Sequence, residues 1–221
     1  VPDENAFVTA LVINLLDGVA TDPEIEKARQ RGLDFLLRCE RPDRLGAFSF
    51  YPAYAHPAWI GEVLPADADD TALCTLALFH GGRWRRSALR RAVQEVLGRH
   101  RLEKSPPGAP WFRAGVYPTW LDAGKLHNPI DVCVNLNVAV LIEEAGADSR
   151  HGHGGIMEMA AAALDWAGNC PERARIIAPY YPHPAEMGYA LERAVVAGVH
   201  KEPRACLSGS GHKPGVAAKI R

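Results

Sequence analysis

Apolar and polar positions along this chain come in blocks, and the blocks are of two kinds. Residues 4–17 carry apolar side chains almost all round, from Ala6 and Phe7 to Leu15 and Leu16, with acids at the start; this predicts a helix enclosed by others. Residues 23–39 set Ile25, Ala28, Leu33, Phe35 and Leu36 among Glu, Lys and Arg. Asp22 before Pro23 supplies a cap and a proline first turn, so the segment reads as an outer, amphipathic helix. The pair then recurs: 69–80 is apolar and 84–100 amphipathic, 131–145 is apolar again, 155–169 is rich in small residues, and 185–199 closes the series. Seven main helices are predicted, joined by Gly/Pro-rich loops. Two-residue alternation is sustained nowhere, so the fold class is all-α.

A longer period overlies these blocks. Tyr51-Pro52, Tyr117-Pro118 and Tyr181-Pro182 stand 66 and 64 residues apart. The apolar helices begin near 4, 69, 131 and 185, at intervals of 65, 62 and 54. Such self-similarity means stacked helical hairpins. Two arrangements fit: an α/α toroid, with inner helices about an axis and outer helices around them, or an open solenoid of helical pairs.

Composition narrows the class. The 221 residues suffice for one domain with a sizeable core, and 48% hydrophobic with 23% charged residues is ordinary globular usage. Twenty-five Lys and Arg against 26 Asp and Glu give no general attraction to nucleic acid. No apolar run approaches the ~18 residues of a membrane span. No basic start with an apolar stretch and cleavage site resembles a signal peptide. Chain numbering opens on Val1, which is expected of a segment from a longer gene product. Five cysteines at scattered positions form neither a disulfide framework nor a CxxC clip, so a reducing, cytoplasmic setting is expected, with peripheral membrane contact as its variant. Residues 1–199 read as the domain. Residues 200–221, with five Lys/Arg and little for a core, read as a basic tail.

Acids gather where the apolar helices begin: Asp3 and Glu4, then Asp67, Asp69 and Asp70, then Asp131, then Glu186. Singly, each is explained by helix capping, since an acid near a helix N-terminus stabilises it by ~0.3–1 kcal/mol. Three aspartates within four residues exceed what a cap needs. Their repulsion implies a cation or a shared proton. If the inner helices run parallel, Asp67, Asp69, Asp70, Asp131 and Glu186 face one cavity mouth with Tyr51, Tyr117 and Tyr181, each of which precedes an inner helix. The loops also concentrate Phe48, Phe50, Tyr54 and Trp59, then Trp111, Phe112 and Trp120, then Tyr180. Trp59 and Trp120 join the tyrosines as candidate wall residues.

Asp67-Ala68-Asp69-Asp70-Thr71-Ala72 resembles the D-x-D-D-T-A motif of squalene–hopene and class II diterpene cyclases, members of the terpenoid cyclase and prenyltransferase α/α-toroid superfamily. A weaker echo is the stretch from Arg31 to Cys39 with Gly46-Ala47-Phe48, which is similar to the superfamily's QW repeat with Cys39 in the Gln position and Phe48 in that of Trp. The resemblance implies an α/α toroid, here an incomplete one of about seven helices. It implies an isomerase- or lyase-type activity in which Asp69 is a general acid, flanked by Asp67 and Asp70. This acid protonates an alkene or epoxide and starts cyclisation or isomerisation of a polyprenyl substrate. Aromatic faces suit a carbocation because they are electron-rich without being nucleophiles. His56 and His127 lie in loops suited to a partner of the acid. A homodimer would complete an open cavity. No cofactor is implied, except Mg²⁺ if the substrate carries a diphosphate, for which Arg83, Arg85 and Arg86 are the nearest basic cluster in sequence.

Three other readings compete. Asp131-Val132-Cys133 with His183 has the ligand types and spacing of the zinc site in protein prenyltransferase β-subunits, against which a core Cys133 is the simpler explanation. A toroidal glycoside hydrolase or lyase would use two of the acids on a sugar. A non-catalytic helical-repeat binding module would leave Asp67 and Asp69 solvated or paired with Arg, whereas an enzyme would bury one in a concave, aromatic-lined site. His151-Gly152-His153 offers two metal-ligand side chains in what is otherwise a polar, Gly-rich loop.

Overall fold

The computed structural model describes residues 3–18, 22–61, 63–122, 124, 127–146, 152–181 and 183–199; the 200–221 segment and His151 lie outside them. Among the described residues the fold is all-α, with eight α-helices: α1 (Ala6–Leu15), α2 (Pro23–Cys39), α3 (Ala68–His80), α4 (Arg86–Arg91), α5 (Val132–Ala145), α6 (Gly154–Ala167), α7 (Pro171–Ile177) and α8 (Pro184–Ala197). Helix α7 is the addition to the seven expected. Seven residues are too few to show a period, although Pro171 at its first turn, Glu172 early and Arg175 late mark it as a helix. Where one helix was expected over 84–100, α4 runs into a π turn (Ala92–Val96) and a 3-10 turn (Leu97–His100). Leu89, Ala92, Val93, Val96 and Leu97 reach the core along one stripe that runs through the change of winding.

Side chains set the helix starts. Asn5 accepts from Val8 N (2.8 Å), Asp22 from Ile25 N (2.9 Å) and Asp67 from Asp70 N (2.7 Å). Asp131 accepts from both Cys133 N and Val134 N. His183 and Glu186 make a reciprocal capping box on α8. At the far end of α5, Arg86 donates to the Glu144 carbonyl and Arg90 to that of Ala145 (3.3 Å), so cations meet the last carbonyls of the helix.

The row α1–α3–α5–α8 forms the spine of the packing, each helix lying on the next. Helix α2 covers α1 and α3, α4 covers α3 and α5, α6 lies on α5, and α7 on α6. The middle two spine helices are buried on every face: residues 68–78 of α3 and 132–142 of α5 without exception. The outer two are not. Only Ala6, Ala10 and Ile13 of α1 are buried, while Val8, Val12 and Leu15 stand exposed, so the prediction of an enclosed first helix is corrected. Helix α8 likewise buries Ala190 and Ala194 and exposes Val195 and Val196. Neither packs closely on a second spine helix; α1 and α8 border one hollow instead.

Loops close over the start of α3. Isolated antiparallel bridges link Glu40 to Phe48, Phe48 to Asp67, and Asp67 to Trp120. Through these bridges the fully buried Phe48 ties the end of α2 to the start of α3, and its ring packs 5.4 Å from that of Trp84, just past the other end of α3. Among the described residues no helix is long and apolar enough to cross a membrane.

Two adjacent glycines at the start of α6 test this packing. A Cβ on Gly155 would stand 2.0 Å from the Ala114 carbonyl oxygen, whereas one on Gly154 would meet nothing within 4 Å. Gly155→Ala should therefore destabilise by about 3 kcal/mol, and Gly154→Ala should stay within about 0.5 kcal/mol of the parent, as read from urea denaturation midpoints.

Candidate functional site

The cluster at residues 67–70 divides into three roles. Asp67 is the cap of α3. Asp70 turns the other way and stands near Cys39 and Cys74 in the core between α1, α2 and α3; both carboxyl oxygens are buried without a hydrogen-bond partner among the described residues. Asp69 faces α5 and α8. Asn137 Nδ2 donates to Asp69 Oδ1 (2.8 Å), and the Tyr181 hydroxyl donates to Oδ2. The same Asn137 nitrogen reaches the Tyr181 oxygen at 3.1 Å, and Arg193 donates to Asn137 Oδ1 at 2.6 Å. Side chains from α3, α5, α8 and the loop before α8 thus close one network. The histidine sought beside the acid is a tyrosine and an amide instead: His56 is half-buried and His127 exposed, and neither bonds to Asp69.

Asp131 builds this site indirectly. Its Oδ1 caps α5, and its Oδ2 accepts from the Tyr180 backbone N–H (3.0 Å), which pins the loop that carries Tyr181. Trp120 packs edge-on to the Tyr180 ring with centroids 6.1 Å apart, and its Nε1 donates to the Tyr180 hydroxyl at 3.2 Å. Glu186 is engaged with the backbone N–H of His183 (2.9 Å) and stands on the rim of the hollow beside the network. That hollow, about 60 Å³, is lined by Phe7 and Leu11 of α1, Asn137 of α5, and Tyr181, Glu186, Tyr189, Ala190 and Arg193. A roomier hollow of about 480 Å³, lined by Phe35, Arg38, Pro42, Pro52 and Tyr54 among others, touches none of these groups. The small one is the functional candidate, because convergent polar groups rather than volume mark a site.

The three repeated tyrosines share neither a neighbour nor a cavity. Tyr51 donates to Asp3 Oδ1 (2.9 Å) at the start of α1. Tyr117 is sealed in the core, its backbone N–H and C=O both bonded to the side chain of Asn135 (2.8 and 2.9 Å). Tyr181 alone meets Asp69. Trp59, 72% exposed, is no wall of this hollow: its loop holds it out in solvent. Of the basic cluster, Arg83 pairs with Asp34 at 2.7 Å, Arg86 caps α5, and Arg85 is exposed; none lines this hollow. As for zinc, the Asp131 carboxyl is committed to backbone N–H groups and the Cys133 thiol contacts the Met187 sulfur at 3.5 Å. No three metal-ligand side chains converge among the described residues. His153 bonds to Glu143 at 3.2 Å.

Asn137 and Arg193 were absent from the sequence-level candidates. Asn135 and Asn137 interrupt a continuous apolar run from Val132 to Ile142, and an amide there must find partners or cost ~1–3 kcal/mol. That rule points to Asn137. Nothing in the sequence singles out Arg193 among the 25 Lys and Arg.

Burial dominates the electrostatics. It pushes Asp67 and Asp131 up to about 7, in both cases against hydrogen bonds that favour the ionised form. Asp69 is raised by burial, while the bonds from Tyr181 and Asn137 and the charge of Arg193 oppose the rise. Asp70, buried beside Asp67 and Asp69, is raised well above the ordinary range. Burial also lifts the Tyr51 and Tyr117 phenols to about 12. The thiols of Cys39 (to about 12), Cys74 and Cys133 rise for the same reason. Burial therefore disfavours the ionised form of every carboxyl in the cluster.

The raised carboxyls set the pH dependence of stability. The native state keeps protons that the unfolded chain releases near the ordinary Asp value of 3.8, so stability is greatest below about 4, falls as pH rises, and levels off above about 7. The slope contributed by each such group is at most about 1.4 kcal/mol per pH unit. Guanidinium denaturation at pH 4.5, 6 and 8 should show a descending midpoint. Asp67→Asn, which retains the capping oxygen, should flatten the descent.

Set against family models, curated proteins and solved structures, the chain matches none.

Proposed function

We propose that this chain is a proton-transfer enzyme of the class II terpene cyclase kind. In this reading α1, α3, α5 and α8 are the inner helices of an incomplete α/α toroid. Asp69 is the source of the proton that starts isomerisation or cyclisation of a polyprenyl substrate. One observation carries it: Asp69 is buried and bonded to Tyr181 and Asn137 behind a hollow with Phe7, Tyr181 and Tyr189 in its wall. A solvated or Arg-paired Asp69 would have pointed to a scaffold. The acid has what the chemistry needs. Burial favours its neutral form, and after transfer two donors are already in place for the carboxylate, so little reorganisation accompanies the charge. A glycoside hydrolase would need a second free carboxyl opposite the first. Asp67, Asp131 and Glu186 are engaged with helix starts instead.

The volume of the hollow, about 60 Å³, favours a second reading. It accommodates the end of an isoprenoid chain and not its length, so the remainder of a substrate would lie over the seam between α1 and α8. A helical-repeat module that grips an apolar terminus without chemistry would use the same hollow.

Incubation with a panel of linear isoprenoids, followed by gas chromatography of the extracts, separates the two. Wild type should yield a cyclic or isomerised product, and Asp69→Asn, which keeps the shape and removes the proton, should lower its rate by about 10²–10⁴-fold. Product formed equally by Asp69→Asn rejects Asp69 as the acid. Quenching of tryptophan fluorescence by an isoprenoid that is recovered unchanged would establish the binding module.

A further inference from the structure

We infer that Tyr181 is the group that delivers the proton to the substrate, with Asp69 resupplying it from behind. This rests on the proton-transfer reading above. Its basis is which residues line the hollow. Tyr181 and Asn137 are part of its lining, and Asp69 is not. A ligand seated between Phe7, Tyr189 and Ala190 therefore meets Tyr181 before it can meet Asp69.

Hydrogen-bond directions around the phenol oxygen are determined by Arg193. A guanidinium only donates, so its 2.6 Å contact identifies the Asn137 atom it meets as the carbonyl oxygen. The Asn137 –NH₂ must then face the other way, toward Asp69 Oδ1 (2.8 Å) and the Tyr181 oxygen (3.1 Å). Asn137 donates to both and cannot accept from either. One hydrogen lies between Tyr181 and Asp69 Oδ2. When Asp69 is ionised, the phenol donates it. When Asp69 is neutral, its own O–H points at the phenol oxygen, which then accepts from Asp69 and Asn137 together. A hydroxyl has two acceptor positions and one hydrogen. With both acceptor positions filled from the protein side, the phenol hydrogen is directed to the remaining side, where the hollow lies.

The transfer balances. The Tyr181 O–H bond breaks as a C–H bond forms on the alkene carbon, and the Asp69 O–H bond breaks as a new O–H bond forms on Tyr181. The net change is loss of one proton by Asp69 and gain of one positive charge by the substrate. Neither oxidant nor reductant is involved. Burial holds the Tyr181 phenol well above its usual range, which would make it a poor acid alone. In the relay its oxygen gains one proton as it loses another and carries no net charge. The new carboxylate keeps Asn137 and the re-formed phenol as donors, and the substrate cation faces the rings of Phe7 and Tyr189 with the Glu186 carboxyl on the rim. The edge-on Phe7–Tyr181 contact, 5.6 Å between centroids at 71°, keeps the phenol from swinging across the hollow.

The test uses the whole chain, turned over with whichever isoprenoid the panel identifies. It compares wild type, Asp69→Asn, Tyr181→Phe and a protein carrying 3-fluorotyrosine at 181, a phenol of nearly the same shape and greater acidity. Tyr181→Phe should lower kcat by about 10²–10⁴-fold with KM within about twofold, and the fluorinated phenol should restore at least half of the wild-type kcat. The fluorinated protein retains the network, so its activity distinguishes proton delivery from mere packing of the ring. If Tyr181→Phe works within threefold of wild type while Asp69→Asn is dead, the relay is overturned and Asp69 itself is the donor. A loss in Tyr181→Phe that fluorotyrosine shares equally would also overturn it. Wild type inert on every isoprenoid removes the proton-transfer reading and the relay together.

Discussion

A carboxyl carried into a protein interior must be met by donors or stay protonated, and this molecule is arranged around four such carboxyls. Asp67 is met by the first turn of its own helix. Asp131 is met by its helix and by the backbone of residue 180, a chain segment 49 residues away. Asp69 is met by side chains from α5 and the loop into α8. Asp70 is met by no donor among the described residues and has the Asp67 and Asp69 carboxyls beside it, so burial and like charge hold it well above the ordinary range. Three of the four answers tie one helix to another or to its own start, so the electrostatic requirement and the packing of α3, α5 and α8 are solved by the same contacts.

The order of construction follows. Asp131 places Tyr180, hence Tyr181; Arg193 orients Asn137, hence the amide hydrogens; together they present a phenol and an amide to Asp69. No single helix owns the site. Its geometry depends on the spacing of α3, α5 and α8, and one of these is an edge of the row: α8 is buried only at Ala190 and Ala194. The seam between α8 and α1, where the hollow lies, is the least enclosed part of the spine.

Local signals explain what was legible. The apolar blocks give the spine helices to within two residues at most boundaries, because α3 and α5 are buried all round and their sequences say so. The Asp22-Pro23 start and the cap at Asp131 were equally plain, whereas the cap at Asp67 is hidden inside an acidic cluster. What escaped is what depends on distant neighbours. The first helix is as apolar as α3, yet it lacks a partner on one side, and no composition reveals a missing neighbour. The repeated Tyr-Pro pairs look equivalent in sequence, but Tyr51, Tyr117 and Tyr181 meet an acid, a sealed core and the acid network respectively. The cluster 67–70 was visible as a cluster; that Asp69 and Asp70 would face different ways follows from the 100° step of a helix and could have been drawn from it.

The same burial that disfavours ionised aspartates also sorts the cysteines. Cys39, Cys74 and Cys133 are enclosed, with thiols driven away from the reactive thiolate form, while Cys170 lies half-exposed at the start of α7 with its sulfur 3.2 Å from Glu172. Among the four described cysteines, then, the fold offers one point of attachment for a fluorophore or spin label. It sits on the helix farthest along the packing order from the Asp69 network, where a reporter could follow motions of the outer layer without disturbing the chemistry.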